Sequence, residues 1–117
     1  MICTHPDVME IRRKSSTAIE LDFCVPLDLK YLTGHFPGFP VVPGVVQIKW
    51  AVDFAARYLE LADRSRLMKS IKFRQLMLPG QLVTLSLRWT SDRGSLNFEF
   101  SSRNGNHSSG RLELCQP

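Results

Sequence analysis

With 117 residues, 44% of them hydrophobic and 22% charged, the chain has the size of one domain with a real core and a soluble surface. No run approaches the roughly 18 apolar residues of a membrane span, and the first fourteen residues lack the apolar stretch of a secretory signal, so a cytoplasmic protein is expected. A net charge of +4 admits nucleic acid, anionic membranes or acidic proteins as partners, but the basic residues are dispersed and no nucleic-acid motif accompanies them.

Residues 8–14 read as a short, polar edge strand. Residues 17–25 are a clearer strand, in which Ile19, Leu21, Phe23 and Val25 alternate with Glu20, Asp22 and Cys24. Pro26 ends it, and residues 27–33 suit a helical turn. The stretch GHFPGFPVVPGVVQIKWAVD, from Gly34 to Asp53, then dominates the chain. Proline fixes φ and glycine admits φ values closed to other residues, so their alternation gives a stiff, shaped backbone. Pro43-Gly44 immediately precedes a helical pattern, which turns the first free N–H groups of the helix back toward the loop carrying His35.

The helix is expected over residues 45–62, with Val45, Ile48, Val52, Ala55 or Ala56, and Leu59 on one stripe. Ala51, Phe54 and Tyr58 widen that stripe, as suits a helix wrapped by a sheet. Lys49, Asp53, Arg57 and Glu60 form its polar line. Four strands follow, at residues 68–74, 82–89, 96–101 and 109–115. In the first, Ile71 and Phe73 are expected inward and Lys72 and Arg74 outward. Leu78-Pro79-Gly80 suits a type II turn, residues 91–94 reverse the chain, and Asn104-Gly105 is a hairpin signal. Two strands, one buried helix and a meander of four strands make a single α+β domain over residues 1–117, an antiparallel sheet curled round the helix.

The run from His35 to Val45, HFPGFPVVPGV, resembles the signature HFPGxPxxPG of the β-hydroxyacyl-acyl-carrier-protein dehydratases of the hotdog fold (the FabZ/FabA type). The helix start VVQIKWA is more similar to the dehydratase-like proteins encoded with aryl polyene biosynthesis. The resemblance implies a curved antiparallel sheet around one long helix, dimers with active sites between subunits, an acyl carrier protein bearing the 3-hydroxyacyl substrate, and neither cofactor nor metal. Dimers with a second copy or with a related hotdog chain both fit. His35 would be the base and the Gly44 N–H the donor that polarises the thioester carbonyl. Phe36, Pro37, Gly38, Pro43, Val45 and Trp50 would line the substrate side, although Trp50 suits the core equally. The family's catalytic carboxylate lies fourteen residues after its His, and that position is Lys49 here. Asp53, one turn further on the same face, is the expected relocated acid, with a surface Lys–Asp pair as the plain alternative.

An acidic carrier would dock on a basic patch, for which Lys69, Lys72 and Arg74 are the first candidates and Arg12-Arg13-Lys14 the second. His5 and His107 read as exposed and without a catalytic partner. Cys3, Cys24 and Cys115 have no metal-ligand spacing, and Cys24 and Cys115 read as small buried hydrophobes. Two other functions stand beside the dehydratase: a non-catalytic hotdog subunit that binds the carrier or a sister chain, favoured by Lys49, and a hotdog thioesterase.

Overall fold

The structure, a computed structural model, describes residues 5–27, 41–61 and 66–114, with the side chains of Arg66 and Leu114 excepted. Six strands, β1 (Val8–Arg13), β2 (Ala18–Cys24), β3 (Arg66–Phe73), β4 (Leu82–Thr90), β5 (Ser95–Ser102) and β6 (Gly105–Leu114), form one antiparallel sheet with the helix α1 (Gly44–Tyr58) against it. Ile19, Leu21 and Phe23 of β2, Val83, Leu85 and Leu87 of β4, and Leu96, Phe98 and Phe100 of β5 make the inner face. Their polar neighbours point outward, the period-2 pattern of a sheet with one buried side. Phe23 sits at the centre, with Trp50 edge-on at 5.8 Å, Phe100 edge-on at 6.1 Å and Phe54 at 6.4 Å.

The sheet order is β1-β2-β4-β5-β6-β3. The expected four-strand meander is therefore three strands, β4 to β6, while β3 crosses over to pair with β6 and becomes an edge. Strand periodicity carries no information on which neighbour a strand chooses, so pattern alone did not reveal the crossover. Being at the edge also corrects the expected burial of β3. Phe73 is 53% exposed, and Leu67 and Met68 are exposed with it. A bulge between Lys69 and Lys72, with Ser70 at φ 55°, breaks the alternation that placed Phe73 inward.

The buried face of α1 is also rotated from the expected stripe. It consists of Val46, Gln47, Trp50, Ala51, Val52, Phe54 and Ala55, whereas Val45 is 73% exposed. Gln47 is the polar member that the apolar count overlooked. Its amide donates to Val42 O at 3.1 Å and accepts from the Ser108 hydroxyl at 2.6 Å, which satisfies it inside the core and ties the helix to β6. At the other end, the Arg13 guanidinium donates to Tyr58 O at 3.0 Å, a cation on the carbonyl end of the helix dipole. The turns fall where the sequence puts them: Gln81 N–H donates to Leu78 O across Pro79-Gly80, with Gly80 at φ 85°. Cys24 is exposed, on the polar side of its own strand, and is not the buried residue expected.

Candidate active site

The candidate residues lie at two places on α1, its first turn at Gly44 and the exposed turn that carries Lys49 and Asp53. Pro43 caps the helix with extended backbone (φ −60°, ψ 150°) and makes no side-chain cap. Its carbonyl accepts from Val46 N–H at 3.0 Å and Gln47 N–H at 3.2 Å. The N–H groups of Gly44 and Val45, the first of the helix, have no role inside it and carry the positive end of its dipole. The Phe73 ring lies directly on Gly44: a Cβ built there would meet Phe73 Cζ at 2.5 Å. Gly44 thus lets the edge strand close over the helix start, and an exposed apolar surface of Val45 and Phe73 surrounds the donor. Trp50 is fully buried as a core residue. His35, Phe36, Pro37 and Gly38 lie outside the described residues.

Further along the same helix, Lys49 and Asp53 meet. Lys49 Nζ is 3.3 Å from Asp53 Oδ2, so the i,i+4 pair that stood as the plain alternative to an acid role is formed. The same oxygen is 2.6 Å from His5 Nε2. The His5 ring stands edge-on to Phe54, with centroids 6.3 Å apart. The expected exposure of His5 holds only in part: its side chain is 36% exposed and bridges to a residue 48 positions away. No local spacing signals such a contact. His107 is corrected more fully. It is buried, with Nδ1 3.1 Å from Leu76 O and Nε2 2.8 Å from Ser102 Oγ, a structural histidine that fixes the turn before β6.

The basic candidates separate by their partners. Arg12 is bound to Glu10, to Glu20 at 3.0 Å and to both oxygens of Asp22 at 2.7 and 2.8 Å, and Asp22 also accepts from the Thr84 hydroxyl at 2.7 Å. The Arg12 hydrogen bonds hold the Asp22 carboxyl below its usual range, against the opposing effect of burial and with help from Thr84. Lys69 pairs with Glu113 at 3.3 Å. Lys72 and Arg74 instead line a groove of about 540 Å³ on the outer sheet face, together with Arg88 and Arg111. The Nε of Arg111 is buried there without a hydrogen-bond partner. Among the described residues, no three His, Cys, Asp or Glu side chains stand together as a metal site, and no helix is long and apolar enough to cross a membrane.

Residues 11–111 match the ApeI-like family, described as ApeI dehydratase. A 3-hydroxyacyl-[acyl-carrier-protein] dehydratase FabZ of Erythrobacter litoralis is 35% identical over 78 residues, which cover 59% of this chain and 52% of the relative. A FabZ of Streptococcus thermophilus is 30% identical over 97 residues, 76% of this chain and 66% of that one. The matched region thus spans between about half and two thirds of these curated relatives. Among solved structures, the dehydratase heterocomplex ApeI:P from Xenorhabdus doucetiae superposes with a TM-score of 0.88 at 24% identity, covering 95% of this chain and 98% of its counterpart. An uncharacterized protein from Erwinia carotovora subsp. atroseptica gives 0.76 at 34% identity, covering 92% and 90%. On the sheet-and-helix architecture, the Pro-Gly helix start and the family match together, this chain belongs to the ApeI-like branch of the hotdog-fold dehydratases.

Proposed function

We propose that the chain is a 3-hydroxyacyl-[acyl-carrier-protein] dehydratase subunit. It removes water from a carrier-bound 3-hydroxyacyl thioester to give the trans-2-enoyl thioester, in fatty-acid or aryl polyene biosynthesis in the cytoplasm. The observation that carries this reading is the start of α1, where Gly44 follows the HFPGFPVVP run directly and presents an N–H that the helix does not use. A thioester oxygen placed there is stabilised as negative charge develops on it. His35 is the base that takes the α-proton. Phe36, Pro37, Gly38, Pro43 and Val45 shape the acyl site, with Trp50 in the core behind them, and the acid function belongs to the Lys49–Asp53 pair, on the Asp53 side.

Distance along the helix supports a second subunit. Nine residues separate Gly44 from Asp53, a rise of ~13.5 Å, whereas the leaving hydroxyl is only two carbons from the carbonyl. Asp53 therefore serves a substrate held at the helix start of another chain. The unpaired edge of β3 and the exposed Val45, Phe73 and Leu76 offer the surface for that pairing, with a copy of this chain or a related hotdog protein. Lys72 and Arg74, which form no ion pair among the described residues whereas Lys69 does, suit an acidic carrier.

The non-catalytic reading is favoured by one observation: the family's carboxylate position holds a lysine, half exposed and committed to Asp53. Turnover of a 3-hydroxyacyl carrier thioester, assayed alone and with a related hotdog chain, decides between the two. Formation of the enoyl thioester, lost in His35→Ala, supports the dehydratase. Carrier or partner binding without turnover supports the non-catalytic subunit.

A further inference from the structure

We infer that the outer face of the sheet carries a binding site for a phosphorylated polyol, such as a sugar phosphate, held between Arg88 and Arg111. The site lies on the side of the sheet turned away from the core and α1, and it does not rest on the dehydratase reading. Strand register builds it. Arg88 of β4 pairs with Asn97 of β5, and Asn97 pairs with Arg111 of β6, so the three stand in one row across the sheet. Neighbouring strands are ~4.8 Å apart, which puts the two arginine backbones roughly 10 Å from each other with an amide between them. Two residues along each strand, Ser86, Glu99 and Ser109 form a parallel row about 7 Å away. Lys72 of β3 closes that row beside Ser109. All of them line the groove of about 540 Å³.

Chemistry separates the two rows. Among the described residues, Arg88, Arg111, Lys72 and Arg74 form no ion pair, whereas Lys14, at the far side of the groove, is 3.8 Å from Glu20. The Nε of Arg111 is buried without a hydrogen-bond partner. A buried N–H is normally satisfied, and the planar guanidinium fork matches the oxygens of a phosphate. Two such forks and the Asn97 amide offer donors to one tetrahedral anion from both sides. A bare anion leaves the second row unexplained, because Glu99, itself in no ion pair among the described residues, repels it. A carboxylate between two serine hydroxyls is instead a set of acceptors for the hydroxyls of a polyol. The groove also exceeds what a lone phosphate fills and falls among pockets for small molecules, ~300–1,000 Å³.

The edge strand is shaped to complete the groove. Lys69 pairs with Arg111 and Lys72 with Ser109, so β3 takes three residue steps where β6 takes two. The extra step returns Lys72 to the outer face, where strict alternation from Lys69 would put Ile71 and Phe73. Ser70 takes the strain, at φ 55°, and lines the groove with Lys72. A left-handed conformation at a residue other than glycine persists where the surrounding structure enforces it, and such residues gather at ligand sites. Lys69, by contrast, is tied to Glu113 at 3.3 Å and lines no part of the groove.

The test is calorimetric titration of the full chain with ribose-5-phosphate, inorganic phosphate and ribose at matched ionic strength. A second arm measures sedimentation with phosphatidylcholine vesicles, with and without phosphatidylglycerol, whose head group also joins a phosphate to hydroxyls. The expected result is ribose-5-phosphate bound on the order of tenfold more tightly than inorganic phosphate, and no heat with ribose. Arg88→Gln and Arg111→Gln should each lower that affinity on the order of tenfold. Arg111→Lys, which keeps the charge and loses the fork, should lower it too, with Tm unchanged. Glu99→Ala should act with opposite signs, tightening inorganic phosphate and weakening ribose-5-phosphate. Attachment to phosphatidylglycerol vesicles that Arg111→Lys abolishes, without binding of the free sugar phosphate, supports the site and names the lipid head group as its ligand. Absence of binding in both arms overturns the inference. So does binding that Lys69→Gln weakens as much as Arg111→Gln, the mark of a diffuse positive field, and so does inorganic phosphate bound more tightly than ribose-5-phosphate without vesicle attachment.

Discussion

Two charged clusters stand on opposite sides of this molecule, and they are built on opposite ratios. Around Arg12, two cations, Arg12 itself and Lys14 at 3.8 Å from Glu20, face three carboxylates, Glu10, Glu20 and Asp22, on and beside the adjacent strands β1 and β2. Around Asp53, one carboxylate faces two nitrogen groups, Lys49 and His5, on the helix and on the segment before β1. The first is a fastener. Its bidentate Arg12–Asp22 contact and the Thr84 hydroxyl span β1, β2 and β4, and a guanidinium does not give up its proton in any working range. The second contains an imidazole, whose two ring nitrogens can each hold or lack a proton, on a helix turn well beyond the helix start. Ion pairs that resemble each other in distance thus have different chemical capacity.

The comparison is broken most directly at Asp53. Asp53→Asn is expected to cost on the order of a hundredfold in turnover with little change in Tm, read by parallel rate and melting measurements. Lys49→Glu, which restores the family's residue, is expected to preserve or raise the rate. A silent Asp53→Asn together with a dead Lys49→Met would move the acid to Lys49.

The complementary variant, Asp22→Asn, should do the reverse: lower Tm by a few degrees and leave turnover per folded molecule unchanged. The sign with pH follows from Asp22 being held below its usual range by Arg12. A group whose folded value is depressed stabilises in full above its unfolded value of about 3.9, and that stability is lost as pH falls through the folded value. The Tm gap between wild type and Asp22→Asn is therefore widest at neutral pH and closes in acid. A gap independent of pH would mean that the variant acts through packing.

What the sequence made legible was the part governed by local periodicity and turn chemistry. All six strands, the helix and the turns at Gly80, Gly94 and Gly105 fall within a few residues of their expected places, and the Lys49–Asp53 pair follows from helical spacing alone. Long-range choices were not legible. Strand β3 pairs with β6 across the sheet, and its bulge at Ser70 turns Phe73 outward onto Gly44. His5 reaches Asp53 from outside any regular element, and His107 is buried by contacts with Leu76 and Ser102. Gln47 carries a local signal, a polar residue inside an apolar helical run, and its partner is Ser108 of β6.

The smallest expected effect concerns the outer face. Lys72→Glu with Arg74→Glu should weaken carrier binding several-fold, and the wild-type affinity itself should fall as salt rises, because exposed charges are screened within about 8 Å at physiological ionic strength. Fold and Arg12 fastener should be untouched, as checked by an unchanged Tm. Unaltered binding would place the carrier elsewhere than the groove lined by Arg88 and Arg111.

The central claim is that this chain dehydrates its substrate although a lysine stands at the family's carboxylate position. Intact-mass analysis of a 3-hydroxyacyl carrier protein after incubation with the wild-type chain and its hotdog partner reads this directly. The account predicts a product lighter by one water, formed by wild type and by Lys49→Glu and absent with His35→Ala. A carrier that is bound yet unchanged in mass with wild type, and converted only by Lys49→Glu, would contradict it.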